Sequence, residues 1–286
     1  MSPALHTESL GHAGPAVLVL HGGLGWDSAS LRPWLDPLAD GARLTFVDLP
    51  GCGASPDPAD WGRVTHAALA DAVEGVRQRL DADGGGHGRV VVLGHSYGAI
   101  VALEYAARHP DRVDGLVLVA PPSRAVHLGA AAARAETIAE SLPPAVGTTL
   151  GEALARPPET DAEFAAWMGD LLPLYVADPA AHDLAAYAGR VRFRAAPCRR
   201  SFYGLLADYD ARAVAPDVDA PALVVSGRHD WVCPPDEGPA EVADGLGAEH
   251  VVFEQSGHLP FLEEPARFVS VVGTWLSERA GVPDPA

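Results

Sequence analysis

A serine between two glycines, an aspartate and a histidine stand in this chain in an order that suits nucleophilic catalysis. Gly94-His95-Ser96-Tyr97-Gly98 is a G-x-S-x-G pentapeptide between an apolar run at 90–93 and a helix-like segment opening near residue 99. Such a motif requires a strand–turn–helix context, in which a sharp, strained turn presents the hydroxyl and the glycines let neighbouring backbone come close. Ser96 is therefore the candidate nucleophile. A serine hydroxyl is a weak nucleophile at neutral pH and needs a base, itself oriented by a third group. Asp230, in Ser226-Gly227-Arg228-His229-Asp230 after an apolar run at 222–225, is the candidate acid. His258, in Gln255-Ser256-Gly257-His258 after the run at 251–253, is the candidate base. His229 is the rival histidine, but adjacent residues project in different directions, so it is a poor partner for Asp230.

Acyl transfer also needs donors aimed at the developing oxyanion. Tyr97 N–H follows the nucleophile and supplies one, and Gly23 N–H in His21-Gly22-Gly23-Leu24-Gly25 is assigned the second. His21 is expected to brace that loop through its ring. The glycine turn 48–55 (DLPGCGAS) is expected to shape the floor near the nucleophile. It lacks the third glycine and the helix of a dinucleotide fingerprint. No metal-ligand spacing is present, so neither metal nor other cofactor is expected.

The elements that must position these groups follow from the pattern. Short β-branched runs at 16–20, 44–47, 90–93, 115–119, 222–226 and 250–253 read as strands. Apolar positions at helical spacing mark 65–80, 99–109 and 265–279. Alternation of the two implies βαβ units and a mostly parallel sheet flanked by helices. Residues 123–210 break the rhythm with an Ala- and Pro-rich, strand-free stretch, read as a helical cap inserted into a core of residues 1–122 and 211–286. Thr160-Asp161-Ala162-Glu163 fits a capping box, opening a helix with Phe164, Trp167, Met168 and Leu171 on one face. That face is expected mainly to pack against the core, with part of it free to line a pocket.

The chain has 286 residues, 48% of them hydrophobic, and a net charge of −18, which disfavours nucleic acid and anionic membrane as partners. A small-molecule substrate is the expected partner, with monomer and homodimer both open. Three widely spaced cysteines do not suggest a disulfide framework. With no signal-like N-terminus and no run of about 18 apolar residues, a cytoplasmic location is expected.

The set HGG (21–23), DLPGCGAS (48–55), GHSYG (94–98), SGRHDWVCP (226–234) and SGHLPFLEEP (256–265) resembles the α/β-hydrolase superfamily over nearly the whole chain. Within it the sequence is most similar to proline iminopeptidase-like enzymes. The resemblance implies the α/β-hydrolase fold, an HGG-type oxyanion loop and a helical cap between strands six and seven of the family's sheet. Such enzymes carry Pro after HGG and carboxylates that hold the substrate's amino group, where this chain has Leu24, Trp231 and, at the cap exit, Arg199 and Arg200. A bound ammonium needs an opposite charge, and Trp231 offers only a cation–π contact. A neutral or anionic acyl group is therefore expected, with Leu24, Trp231, Trp167, Phe202 and Arg199 as candidate pocket residues. Arg190, Arg192, Arg194, Arg199 and Arg200 concentrate positive charge; one of them could meet a carboxylate, although a solvated cap face is the expectation. The reading is a serine hydrolase of a small ester, lactone or amide. The alternatives are an iminopeptidase, a C–C bond hydrolase or non-hydrolytic enzyme, and a non-catalytic receptor.

Overall fold

The computed structural model describes residues 4–23, 25–82 and 88–278. Seven strands, β1 (Thr7–Leu10), β2 (Ala16–Leu20), β3 (Arg43–Val47), β4 (Val90–His95), β5 (Val113–Val119), β6 (Ala222–Gly227) and β7 (Glu249–Phe253), form one sheet. Their order is β1-β3-β2-β4-β5-β6-β7, parallel throughout except for β1, which pairs antiparallel with β3 at the edge. Strands β2, β4 and β6 are buried along their whole length, which is why they read as unbroken apolar runs. Their side chains alternate between two cores: Val17 and Val19 face one, Leu18 and Leu20 the other.

Helices α1 (His66–Leu80), α2 (Tyr97–Arg108) and α8 (Gly238–Leu246) contribute to the core that contains Leu18. Thr65 starts α1 by accepting the Ala68 amide at 3.1 Å, and Leu69, Val73 and Val76 form its buried stripe. On the other face, α10 (Pro265–Ser277) inserts Phe268, Val272, Trp275 and Leu276.

The chain leaves the sheet after β5 and returns at β6, its parallel neighbour. Between them the described residues form no strand, only an isolated Arg124–Asp210 bridge and the helices α3 (Val126–Ala139), α4 (Pro144–Ala155), α5 (Asp161–Leu171), α6 (Leu184–Ala188), α7 (Ala195–Phe202) with short 3-10 segments. We call this insertion the cap. Its two ends meet where Ala125 N–H donates to Tyr209 O at 3.0 Å and Ala211 N–H to Ser123 O at 2.7 Å. Thr160 caps α5 through the Glu163 amide, but the Glu163 carboxylate reaches the Glu159 N–H and Arg156, so the reciprocal half of the expected box slips by one residue.

Candidate active site

Ser96 occupies the turn between β4 and α2 with φ 52° and ψ −116°, a left-handed conformation that strains a non-glycine residue. The turn is possible because Gly94 and Gly98 lack side chains. A Cβ on Gly94 would lie 2.3 Å from Gly98 O, and one on Gly98 would lie 2.5 Å from Leu20 O. Ser96 caps α2, whose first amide, Tyr97 N–H, has no acceptor within the helix. Positive helix-dipole charge and a free donor thus meet beside the hydroxyl.

His258 and Asp230 lie in the loops after β7 and β6. His258 Nδ1 is 2.7 Å from Asp230 Oδ2, and Asp230 Oδ1 accepts the amides of Val232 (2.8 Å) and Cys233 (3.0 Å). A carboxylate only accepts, so the proton sits on Nδ1 and Nε2 is left as a base. Ser96 lines one cavity with His258, whose ring is hydrogen-bonded to Asp230. Its sequence neighbour His95 donates from Nε2 to His258 O at 3.0 Å, and burial holds its pKa well below the usual histidine value, so it stays neutral.

Gly23 faces the same cavity with φ 27°. Behind it, fully buried His21 donates from Nδ1 to Gly22 O (2.9 Å) and accepts Leu49 N–H at Nε2 (3.1 Å). Burial lowers its pKa, which keeps the neutral tautomer that both bonds require. Asp48 secures the adjoining loop by accepting Ser28 N–H and Ala54 N–H.

A cavity of about 390 Å³ opens above Ser96, lined by Gly23, His95 and His258 below and largely by the cap above. Trp231, Trp167 and Phe202 line it as expected, and Leu24 lies outside the described residues. The α5 face expected mainly to be packing is both: Phe164, Trp167, Met168 and Leu171 belong to the core and form a wall of the cavity. Trp26 and Tyr175, which carry no local sequence signal, complete the aromatic lining and pack against each other. Leu154, Phe202 and Tyr203, the exposed large hydrophobic residues of the described chain, also line it, and Tyr203 Oη–H donates to Ala153 O.

Arg199 requires a correction. Its guanidinium donates to Pro158 O and Glu159 O, both at 2.9 Å, and it is absent from the lining. The remaining arginines of the cluster also stay outside the cavity. Arg192, Arg194 and Arg200 reach Gly53 O, Asp57 and Val64 O, tying the cap to core loops, while Arg190, Arg192 and Arg199 stay exposed, as a solvated face requires. Backbone carbonyls at helix and loop ends are the acceptors that a guanidinium fork satisfies, and charge clustering in sequence does not distinguish that use from substrate binding.

Residues 15–265 match the family model described as alpha/beta hydrolase fold. The chain belongs to the α/β-hydrolase family. It is 32% identical to a pimeloyl-[acyl-carrier protein] methyl ester esterase of Chromobacterium violaceum, over 96% of this chain and 99% of that protein. It is 26% identical to a proline iminopeptidase of Saccharolobus solfataricus, over 92% and 84% of the two chains. Among solved structures, a thermophilic esterase from Thermogutta terrifontis superposes with a TM-score of 0.73 at 25% identity, over 98% of both chains. This α/β hydrolase is an enzyme of esterase-like type, and none of its described helices is long and apolar enough to cross a membrane.

Asp230, Cys233 and His258 bring possible metal-ligand atoms within 4.8 Å of one another. The donor set fits an ion poorly: His Nδ1 and Asp Oδ2 already share a proton, the other oxygen holds two amides, and burial pushes the Cys233 thiol well above its usual pKa. Cys52 and Cys198 are likewise buried with raised pKa values, Cys198 to about 12, so all three thiols are protonated at neutral pH.

Proposed function

We propose that this hydrolase cleaves carboxylic esters whose buried part is uncharged and apolar, through an acyl-enzyme on Ser96. The observation that carries the reading is the cavity wall: aromatic and aliphatic side chains, with no carboxylate, lysine or arginine among its described residues. An apolar group entering it gains about 0.8 kcal/mol per buried methylene, whereas an unpaired ammonium or carboxylate there would lose its hydration without compensation. His258 Nε2 takes the proton of Ser96 as Oγ attacks the ester carbonyl, and Asp230 holds the imidazolium that forms. Tyr97 N–H and Gly23 N–H stabilise the oxyanion. Collapse expels the alcohol, protonated by His258, and water repeats the steps to release the acid.

The similarity to methyl ester esterases supports ester over amide substrates. The iminopeptidase alternative shares the triad but needs an anion for the substrate's amine, and the lining offers none among the described residues. A C–C bond hydrolase would use the same triad and is separated by its products. The test is a matched assay of aryl esters and a prolyl anilide with wild-type protein and Ser96→Ala. Ser96-dependent ester cleavage with negligible proline release is expected. Efficient proline release would refute the substrate reading, and activity of Ser96→Ala would refute the nucleophile and reopen a non-catalytic role.

A further inference from the structure

The backbone around the base is fastened on three sides. His258 N–H donates to Tyr175 O of the cap at 2.8 Å, and His258 O accepts from His95 on the nucleophile turn. The third fastening is Glu263, at the end of the short helix α9 (Pro260–Glu263). Its Oε1 accepts the amides on either side of the base, Gly257 at 2.8 Å and Leu259 at 3.3 Å. Its Oε2 accepts Ala177 N–H of the cap at 2.7 Å. One carboxylate therefore joins the loop of the base to the cap segment that also supplies the Tyr175 carbonyl. The two backbones touch closely because residue 257 is glycine: a Cβ there would lie 2.7 Å from Tyr175 O and 3.1 Å from Val176 Cα. Tyr175 in turn packs its ring on the rings of His258 and Trp231 and lines the cavity.

We propose that Glu263 is a positioning residue for the base: its carboxylate locks the His258 loop to the cap segment 175–177, so that cap seating and placement of His258 form one event. The inference rests on the Ser96–His258–Asp230 reading above. Both oxygens of Glu263 face N–H donors, so a proton on either one displaces a contact. On the elements packed against it stand Asp230 and His258 from the sheet loops, Tyr175 and Asp178 from the cap, and Glu264, which pairs with Arg267. Burial raises Glu263 to about 7, with the Asp230 charge adding to it and the three amides opposing it. Loss of the proton as pH rises through about 7 completes the lock, and acidification releases it.

The experiment is the pH profile of aryl ester hydrolysis by wild type, Glu263→Gln and Glu263→Asp, with thermal midpoints measured alongside. Glu263→Gln is expected to lower kcat about 10- to 100-fold, as a misplaced catalytic group does, with KM changed less than about threefold. Wild type is expected to lose activity below about pH 7 more steeply than one proton allows, Glu263→Gln with single-proton slope, and Glu263→Asp to recover part of the rate. A merely structural role would lower the midpoint and leave the shape of the profile unchanged. A second measurement needs no variant: hydrogen exchange of the Ala177, Gly257 and Leu259 amides in wild type, corrected for intrinsic rate, should lose protection between pH 8 and 6. Unchanged protection, or a Glu263→Gln enzyme with the wild-type rate and profile, overturns the proposal. If Ser96→Ala is inactive while Glu263→Gln behaves as wild type, the lock alone falls; if Ser96→Ala is active, the triad falls first.

Discussion

His258 Nδ1 and Asp230 Oδ2 are 2.7 Å apart, and the second oxygen of Asp230 is held by the amides of Val232 and Cys233. These two amides fix which way an amide side chain would point in Asp230→Asn. Its oxygen must face the two N–H donors, so its NH₂ faces His258 Nδ1 and forces the proton onto Nε2, where the base should be. The substitution should lower kcat about 10³- to 10⁴-fold with little change in KM or fold. Steady-state kinetics checks this, and a loss below tenfold would remove Asp230 from the triad.

The cavity should read acyl length. For straight-chain aryl esters, kcat/KM should rise about two- to fourfold per methylene until the cavity of about 390 Å³ is filled, then fall. Leu154, 49% exposed at the cavity and so of little weight in folding, should raise KM for the longer esters when changed to Asp, with the thermal midpoint held. A flat chain-length profile would mean that the acyl group does not enter this cavity.

The candidate triad is legible in the sequence because such chemistry calls for local signatures: a glycine-flanked turn for Ser96 and loops directly after strands for Asp230 and His258. β2, β4 and β6 were legible for a related reason, since burial on both faces leaves no polar position. β1 was not, because Thr7–Leu10 is a four-residue edge strand that is only partly buried and carries no alternation. The roles of Glu263, Tyr175 and Trp26 arise from contacts between distant segments and leave no local pattern. Arg199 misleads for the converse reason: it sits among charges adjacent in sequence, but they reach separate carbonyls and carboxylates, and its own guanidinium meets Pro158 O and Glu159 O.

Arg199 should not discriminate a neutral from an anionic substrate, since it lies outside the cavity. With its guanidinium donating to Pro158 O and Glu159 O, Arg199→Ala should leave kcat/KM within about twofold for a neutral ester and for one bearing a carboxylate, and cost no more than about 1 kcal/mol of stability. Selective loss of the carboxylate-bearing ester would show that Arg199 meets substrate.

Asp27 should make stability depend on pH in the opposite sense to a salt-bridged carboxylate. It is 7% exposed, Oδ2 accepts Arg192 N–H at 3.1 Å, and buried Oδ1 has no partner. Burial, with Asp48 adding a like charge, raises its pKa to about 6, although the Arg192 amide opposes the shift. The folded state thus holds the proton more tightly than the unfolded chain. Its stabilising effect is complete below the unfolded value near 4 and is lost as pH rises through about 6. The difference amounts to about 1–3 kcal/mol. Asp27→Asn keeps an acceptor for Arg192 N–H and removes the charge, so it should raise unfolding free energy at pH 7.5 by about that amount. It should also flatten this contribution between pH 4 and 6. Denaturant titrations of both proteins at pH 4.5, 6 and 7.5 measure it: a stability difference that does not grow with pH would mean that Asp27 is not charged at a cost in the folded protein.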